Sequence, residues 1–212
     1  MSDVWSDRAE MYRTSDAHRE GPDLDLLVEW ASGARTALDV ATGGGHVARR
    51  LRDAGIEVVS CDEAPGMRAD VVCRAENLPL ADDSFDVAVS RVAAHHYDNV
   101  AQAVAEMARV ATVAVLIVDN CFMSDAVEEA EKLRDPSHVR NYNETEWRSF
   151  VGEADLEVED VRFFEKPIEF QPWLDRCGCS EDDAGRVREL LGERIAGDHV
   201  VLDRIALKAV PT

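Results

Sequence analysis

Five short runs, TALDVA (36–41), IEVVSC (56–61), DVVCR (70–74), FDVAVS (85–90) and TVAVLIVD (112–119), are β-branched and nearly continuous in apolar character. A strand that is apolar on both sides needs cover on both sides, and a parallel sheet packed between helices supplies it. The intervening segments VARRLRDAG and VAQAVAEMARV carry apolar residues at helical spacing. The expected fold is therefore α/β: an open, doubly wound, mostly parallel sheet. A chain of 212 residues can bury one substantial core of this kind.

The first strand ends in a carboxylate and runs through three glycines into a helix, as TALDVATGGGHVARRL (36–51). Gly43, Gly45 and Ala48 satisfy the spacing G-x-G-x-x-G/A, which places backbone N–H groups and a helix N-terminus at the carboxyl edge of the sheet. The spacing does not choose the ligand, but electrostatics does. A dinucleotide would set its pyrophosphate here, where Asp39, four residues before Gly43, opposes it. S-adenosylmethionine carries a cationic ammonium and sulfonium and no phosphate, so the same carboxylate attracts it. Asp62, 19 positions after Gly43 at the end of the second strand, can accept hydrogen bonds from both ribose hydroxyls of either cofactor. A nicotinamide-dependent oxidoreductase is disfavoured on this ground.

Composition removes other classes. The formal net charge is −20, with only Lys132, Lys166 and Lys208 as lysines. Such a field repels nucleic acid and anionic lipid, so neither is expected as a partner. An acidic excess with scarce lysine also suits a surface meant for high salt, and a halophilic source is a hypothesis. No run reaches the roughly 18 apolar residues of a membrane span, and MSDVWSDRAEMYR lacks a signal-peptide profile, so a soluble cytoplasmic protein is expected. The five cysteines form an odd set without a C-x-x-C pair, as in a reducing compartment. No metal-ligand set, nucleophile elbow or phosphate-binding lysine loop is recognisable.

The segments LDVATGGGHVA, AENLPLADDSFDVAVSRVAAHHYDN, VDN (118–120) and DPSHVRNYNETEW (135–147) resemble the class I S-adenosylmethionine-dependent methyltransferases, in particular the ubiquinone/menaquinone-type small-molecule branch. The resemblance implies one domain over 1–212 with a seven-stranded sheet and a reversed last strand. Its parts would be an N-terminal helical segment (1–33), a cofactor-binding core (36–119), a substrate-side helical insertion (120–150) and C-terminal strands (151–212). It also implies roles. Asp39, Gly43 and Gly45 match the first motif, with Ala41 where glycine is often found, and Asp62 matches the ribose acid. Ala75 and Glu76 fall in the loop that meets adenine, Ser90, Arg91 and Val92 near the methionine part, and Tyr12 at an N-terminal tyrosine that closes over the cofactor. The implied function is methyl transfer from S-adenosylmethionine to a small molecule.

Two departures from the family pattern bear on that function. Arg74 stands where an aspartate commonly accepts from the adenine amino group, and Glu63 where an apolar residue packs on the ring; a guanidinium has donors only. The link Glu63 to Ala69, EAPGMRA, is too short for the usual crossover helix. Seven extended residues reach about 23 Å, enough to return along a strand of roughly 17 Å, so the crossover survives without its helix. The uncovered sheet edge is expected either to self-associate as a homo-oligomer or to be covered by another segment of the chain. The alternative function is a non-catalytic protein of this fold with weakened cofactor binding, acting as a binding or assembly partner.

Methyl transfer from a sulfonium needs alignment and, for some acceptors, a base. His95 and His96, just beyond the fourth strand, are the candidate bases. His18, His138, Arg140 and Tyr142 come from segments expected to roof the pocket. His46 is expected either to touch the cofactor carboxylate or to face solvent. Phe122, Phe163, Phe164, Phe170 and Trp173 are candidate linings of an apolar cavity or simple core.

Overall fold

The structure is a computed structural model that describes residues 4–15 and 19–212. Helix α1 (Val4–Thr14) is followed by α2 (Pro22–Trp30), with proline at its first turn. The alternating region then reads β1 (Thr36–Val40), α3 (His46–Asp53), β2 (Glu57–Asp62), β3 (Val71–Val72), β4 (Phe85–Arg91), α4 (Val100–Val110) and β5 (Ala111–Asn120). After it come α5 (Asp125–Arg134), α6 (Glu144–Glu153), β6 (Leu156–Glu169), α7 (Phe170–Asp175), α8 (Glu181–Leu191), β7 (Ile195–Ala196) and β8 (His199–Pro211).

The strands lie in the order β3-β2-β1-β4-β5-β8-β6, parallel up to β5. The last strand, β8, inserts antiparallel between β5 and β6. This is the expected doubly wound sheet with its reversed final strand, to which β7 adds a two-residue pairing with β8. Helix α8 ends at Leu191, where Gly192 takes a positive φ and a single 3-10 turn leads into β7.

Period-two alternation divides the strand residues between two helical layers. Leu38, Val40, Ala88, Val115 and Ile117 pack against α4 and α6, including the fully buried Trp147. Ala37, Val87, Val89, Leu116 and Val118 pack against α2 and α3. Asn143 caps α6 through a reciprocal capping box with Glu146.

The crossover between β2 and β3 has no α-helix; it holds one 3-10 turn, Pro65–Met67. Cover comes from within the chain. Ala9 of α1 is buried against Ala64 and Met67, flanked by Trp5 and Tyr12. The fit is close, because a Cβ on Gly66 would lie 2.5 Å from the Ser6 Cα. Gly66 N–H donates to Ser6 Oγ at 2.7 Å, and Arg13 donates to Gly66 O at 3.0 Å.

At the other end of the sheet, β8 pairs with β5 only from Arg204 onward, while residues 199 to 203 continue along β6. The β6–β8 hairpin thus overhangs the carboxyl edge of the parallel strands. A satellite core forms on the overhang from Ile168, Phe170, Trp173, Leu174, Val187, Val200 and Leu202, with Val127 and Ala130 of α5.

Candidate functional site

The glycine loop is shaped by backbone conformations that disfavour a side chain. Ala41, Gly43 and Gly45 all have positive φ, at 54°, 52° and 72°. Ala41 therefore holds a left-handed conformation that glycine takes without strain, which accounts for glycine at this position in relatives of the pattern. Asp39 fixes the loop from below: its Oδ2 accepts from the Thr42 hydroxyl at 2.5 Å and from Ala48 N–H at 3.0 Å. Burial raises the Asp39 pKa to about 6 against the opposing pull of those two donors. Asp62 ties the next loop to it, accepting from Gly43 N–H at 2.9 Å and Ala64 N–H at 3.0 Å.

A cleft of about 1290 Å³, open to solvent, lies over these loops and under α1 and the hairpin overhang. Asp39, Ala41, Gly43, Gly44, Asp62, Glu63, Ala75, Glu76, Arg91, Val92, His95, His96 and Tyr12 all line it. Gly45 does not; it is the left-handed N-cap of α3, so its function is to turn the chain. Gly44 meets the cleft beside Gly43, and a Cβ on it would sit 2.6 Å from His46 Nε2 and 2.7 Å from Tyr12 O. Those two atoms are themselves 2.9 Å apart. His46 is buried and holds the backbone of α1 to the glycine loop, which corrects the solvent-facing alternative.

Arg74 is the hub of a charged cluster. It reaches Asp98 at 2.7 Å, Glu76 at 3.2 Å and Glu63 at 3.8 Å. Glu76 also accepts from the N–H groups of Asp98 and Asn99, so it clamps the loop after β3 to the start of α4. The two departures from the family pattern, Arg74 and Glu63, are thereby partners of one another. Burial raises the Glu63 pKa, although the Arg74 charge opposes the shift.

Asp119 ends β5 beside the 3-10 turn that carries His95. His95 Nδ1 lies 2.5 Å from Asp119 Oδ1, and its backbone N–H donates to Oδ2 at 2.9 Å. Both residues are buried. Burial alone would depress the His95 pKa, but the Asp119 carboxylate prevails and raises it. The pair fixes the tautomer with the proton on Nδ1, which makes Nε2 the acceptor. His96, 4.1 Å away by ring centroid, is pushed down to about 3 by burial and by the neighbouring imidazole. It donates from Nδ1 to Ser137 O at 3.0 Å and packs edge-on against Trp5 at 4.6 Å.

Several expected residues lie elsewhere. Ser90 does not reach the cleft, because its hydroxyl turns into the core and meets Tyr97 Oη at 2.8 Å. His138 pairs with Glu128 at 3.2 Å, Arg140 pairs with Glu146 at 2.6 Å, and Tyr142 packs against Trp147 and Phe150. None of these three lines the cleft, and His18 lies outside the described residues. Of the aromatic candidates only Trp173 lines the cavity; Phe170 is core and Phe163 is 57% exposed. Glu128, Glu131 and His138 gather within 4.8 Å, a grouping that the sequence reading did not identify. Their ligand atoms are already engaged by one another, by Asn141 and by Asn120. Sequence reasoning also missed Trp5, Asn120, Arg134, Ile168, Arg176, Leu202 and Arg204, which are part of the lining.

Fold and site together define a protein that binds a nucleoside-type cofactor at the carboxyl edge of a doubly wound sheet, with carboxylates where a phosphate binder would have none. Comparison with known proteins specifies the class further. Residues 38–116 match the family described as "Methyltransferase domain". The chain is 32% identical over 203 residues to the uncharacterized methyltransferase YcgJ of Bacillus subtilis, covering 84% of this chain and 80% of the relative. The crystal structure of YcgJ superposes with a TM-score of 0.79 at 26% identity, over 89% of this chain and 97% of that one. A putative methyltransferase from Bacillus halodurans superposes with a TM-score of 0.78 at 29% identity, over 91% and 100%. The chain belongs to the class I S-adenosylmethionine-dependent methyltransferases.

Proposed function

We propose that this methyltransferase acts on a small molecule and that His95, oriented by Asp119, is its general base. The observation that carries the reading is the buried His95–Asp119 pair, which lines the same cleft as the glycine loop. The residues fit the cofactor. The left-handed turn at Ala41 and Gly43 and the bare Gly44 allow close approach. The carboxylate of Asp39 suits a cationic methionine portion, and that of Asp62 suits ribose hydroxyls. Glu63, held by Arg74, supplies an acceptor at the adenine end in place of the missing aspartate. The cleft runs from the glycine loop to Trp173, Ile168 and Leu202 on the hairpin overhang, so an acceptor can lie beside the cofactor.

When bound, the cofactor supplies an electrophilic methyl carbon on a sulfonium. The chain aligns the acceptor's nucleophilic atom with that carbon and excludes water beneath Trp5 and Tyr12. His95 Nε2 takes the proton released from the nucleophile, and the Asp119 carboxylate stabilises the resulting imidazolium. His96, with its depressed pKa, stays neutral and wedges the His95 ring in place.

The test incubates the protein with methyl-labelled S-adenosylmethionine and separated fractions of a cell extract. Label is expected in the low-mass fraction; label confined to the protein or nucleic-acid fraction would refute the small-molecule reading. Binding of S-adenosylhomocysteine by His95→Gln should stay within about twofold of wild type while labelling falls about 10²- to 10⁴-fold. Unchanged labelling by that variant would remove His95 as the base.

A further inference from the structure

The cleft is divided by charge in a way the whole chain is not. In a protein of net charge −20, the acids that reach the cavity, Asp39, Asp62, Glu63 and Glu76, sit at the end of β1 and in the loops after β2 and β3. Arg74 stands among these acids and is paired with Glu63 and Glu76, whereas the other arginines of the lining are Arg91, Arg134, Arg176 and Arg204. Two carboxylates meet the arginines at that end, and each is shared. Asp23 of α2 takes Arg91 at 2.7 Å and Arg204 at 3.0 Å, and Asp135 takes Arg8 at 3.2 Å and Arg134 at 3.5 Å.

The side chain of Arg176, just past α7, makes no hydrogen bond or ion pair among the described residues, although the residue is partly buried. The Nε atoms of the buried Arg134 and Arg204 also have no partner. Each unmatched N–H donor in a desolvated wall costs free energy that an anion would recover through charge-assisted hydrogen bonds. Arg134 and Arg176 lie within each other's field, and burial pushes the Arg176 pKa down. Between them stands an apolar surface: Trp173, on whose ring Arg134 stacks at 4.2 Å, with Ile168 and Leu202 beside it.

We propose that the methyl acceptor is an organic acid. Its carboxylate is received by Arg176 and Arg134, its apolar or aromatic body lies on Trp173, Ile168 and Leu202, and its nucleophilic atom points toward His95. A guanidinium fork matches a planar carboxylate with two parallel hydrogen bonds, and a mostly apolar wall suits a singly charged, carbon-rich ligand. Arg91 and Arg204 are already bound to Asp23 and are not assigned to the carboxylate. The inference rests on the methyltransferase reading and names the acceptor class for that same site.

The test measures binding by calorimetry with S-adenosylhomocysteine at saturation, so that the cofactor half is filled. The probes are naphthalene-2-carboxylate and its neutral isostere naphthalene-2-carboxamide. The acid should bind at least tenfold more tightly than the amide to the wild-type protein. Arg176→Met should remove that preference and Arg176→Lys should keep most of it, with S-adenosylhomocysteine affinity in both variants within twofold of wild type. Equal affinity for acid and amide in the wild type, which needs no variant to fold, would overturn the subsite; so would a preference unchanged in Arg176→Met. Failure of the wild type to bind S-adenosylhomocysteine at all would instead remove the cofactor assignment on which the reading stands.

Discussion

Asp39 is a carboxylate whose presence costs stability and whose charge serves binding, and a single substitution separates the two. Its pKa in the folded protein is about 6, against roughly 3.9 in an unfolded chain. The fold therefore prefers the protonated form. As pH rises from about 4 to about 6 the unfolded state releases this proton first, so folding loses stability through that window and the loss is complete above it. About two pKa units correspond to roughly 3 kcal/mol. Asn is the uncharged isostere, and its side-chain oxygen still accepts from Thr42 or Ala48. Asp39→Asn is thus expected to raise the unfolding free energy at pH 7 by up to about 3 kcal/mol, and the gain should shrink toward zero near pH 4. Urea unfolding at pH 4, 5, 6 and 7 measures it. The same substitution should weaken S-adenosylhomocysteine binding at least tenfold, because the ammonium loses its counter-charge. In the wild type that affinity should fall as pH drops through about 6, where Asp39 takes up its proton. A variant no more stable than wild type at any of these pH values would refute the reasoning. It would mean that the Thr42 and Ala48 donors, rather than the ligand, hold the charge in place.

Two further substitutions probe other parts of the site. Asp119→Asn removes the charge that holds the His95 pKa up. The acidic limb of the kcat profile should move to lower pH while kcat falls at least about 10²-fold, and an unmoved limb would show that another group titrates. Gly44→Ala puts a methyl group into the His46 and Tyr12 contact; it should cost about 1–3 kcal/mol by overpacking and weaken S-adenosylhomocysteine binding, whereas Gly45→Ala should leave the cleft lining unchanged.

The strands were legible because double burial demands β-branched, continuously apolar runs, and that demand is local. Asp39, Gly43, Asp62 and His95 were legible because each stands at a fixed offset from a strand end. The hydrogen bond of the Ser90 hydroxyl to Tyr97 was not legible, because it depends on how the turn after β4 folds back on the strand. The arginine wall was not legible at all. Arg176 and Trp173 enter the site only because β6 and β8 run on past β5, and the extent of that pairing depends on residues some forty positions apart. His46 could not be placed from its position in α3, since the carbonyl it contacts is 34 residues away.

The shortened crossover ties cover and lid into one element, and this has a dynamic consequence. Helix α1 supplies the packing that a crossover helix would have given, and its Trp5 and Tyr12 also form the outer wall of the cleft. Its fully buried apolar anchor is small: Ala9 against Ala64 and Met67. Its polar links include five hydrogen bonds: Ser6 and Arg13 to Gly66, His46 to Tyr12 O, and Arg8 to Asp135 and Cys177 O. At roughly 25 cal/mol per Å² of apolar area and about 1 kcal/mol per net hydrogen bond, opening α1 costs a few kcal/mol. That is well below what is needed to pull β1 or β4 from the centre of the sheet. Amides of α1 should therefore exchange with solvent orders of magnitude faster than those of β1 and β4, and S-adenosylhomocysteine should slow them selectively. Gly66→Ala, which sets a methyl group against the Ser6 backbone, should speed α1 exchange further without altering the sheet. Exchange of α1 in step with the central strands would mean that the helix opens only on global unfolding, and that access to the cleft lies along another path.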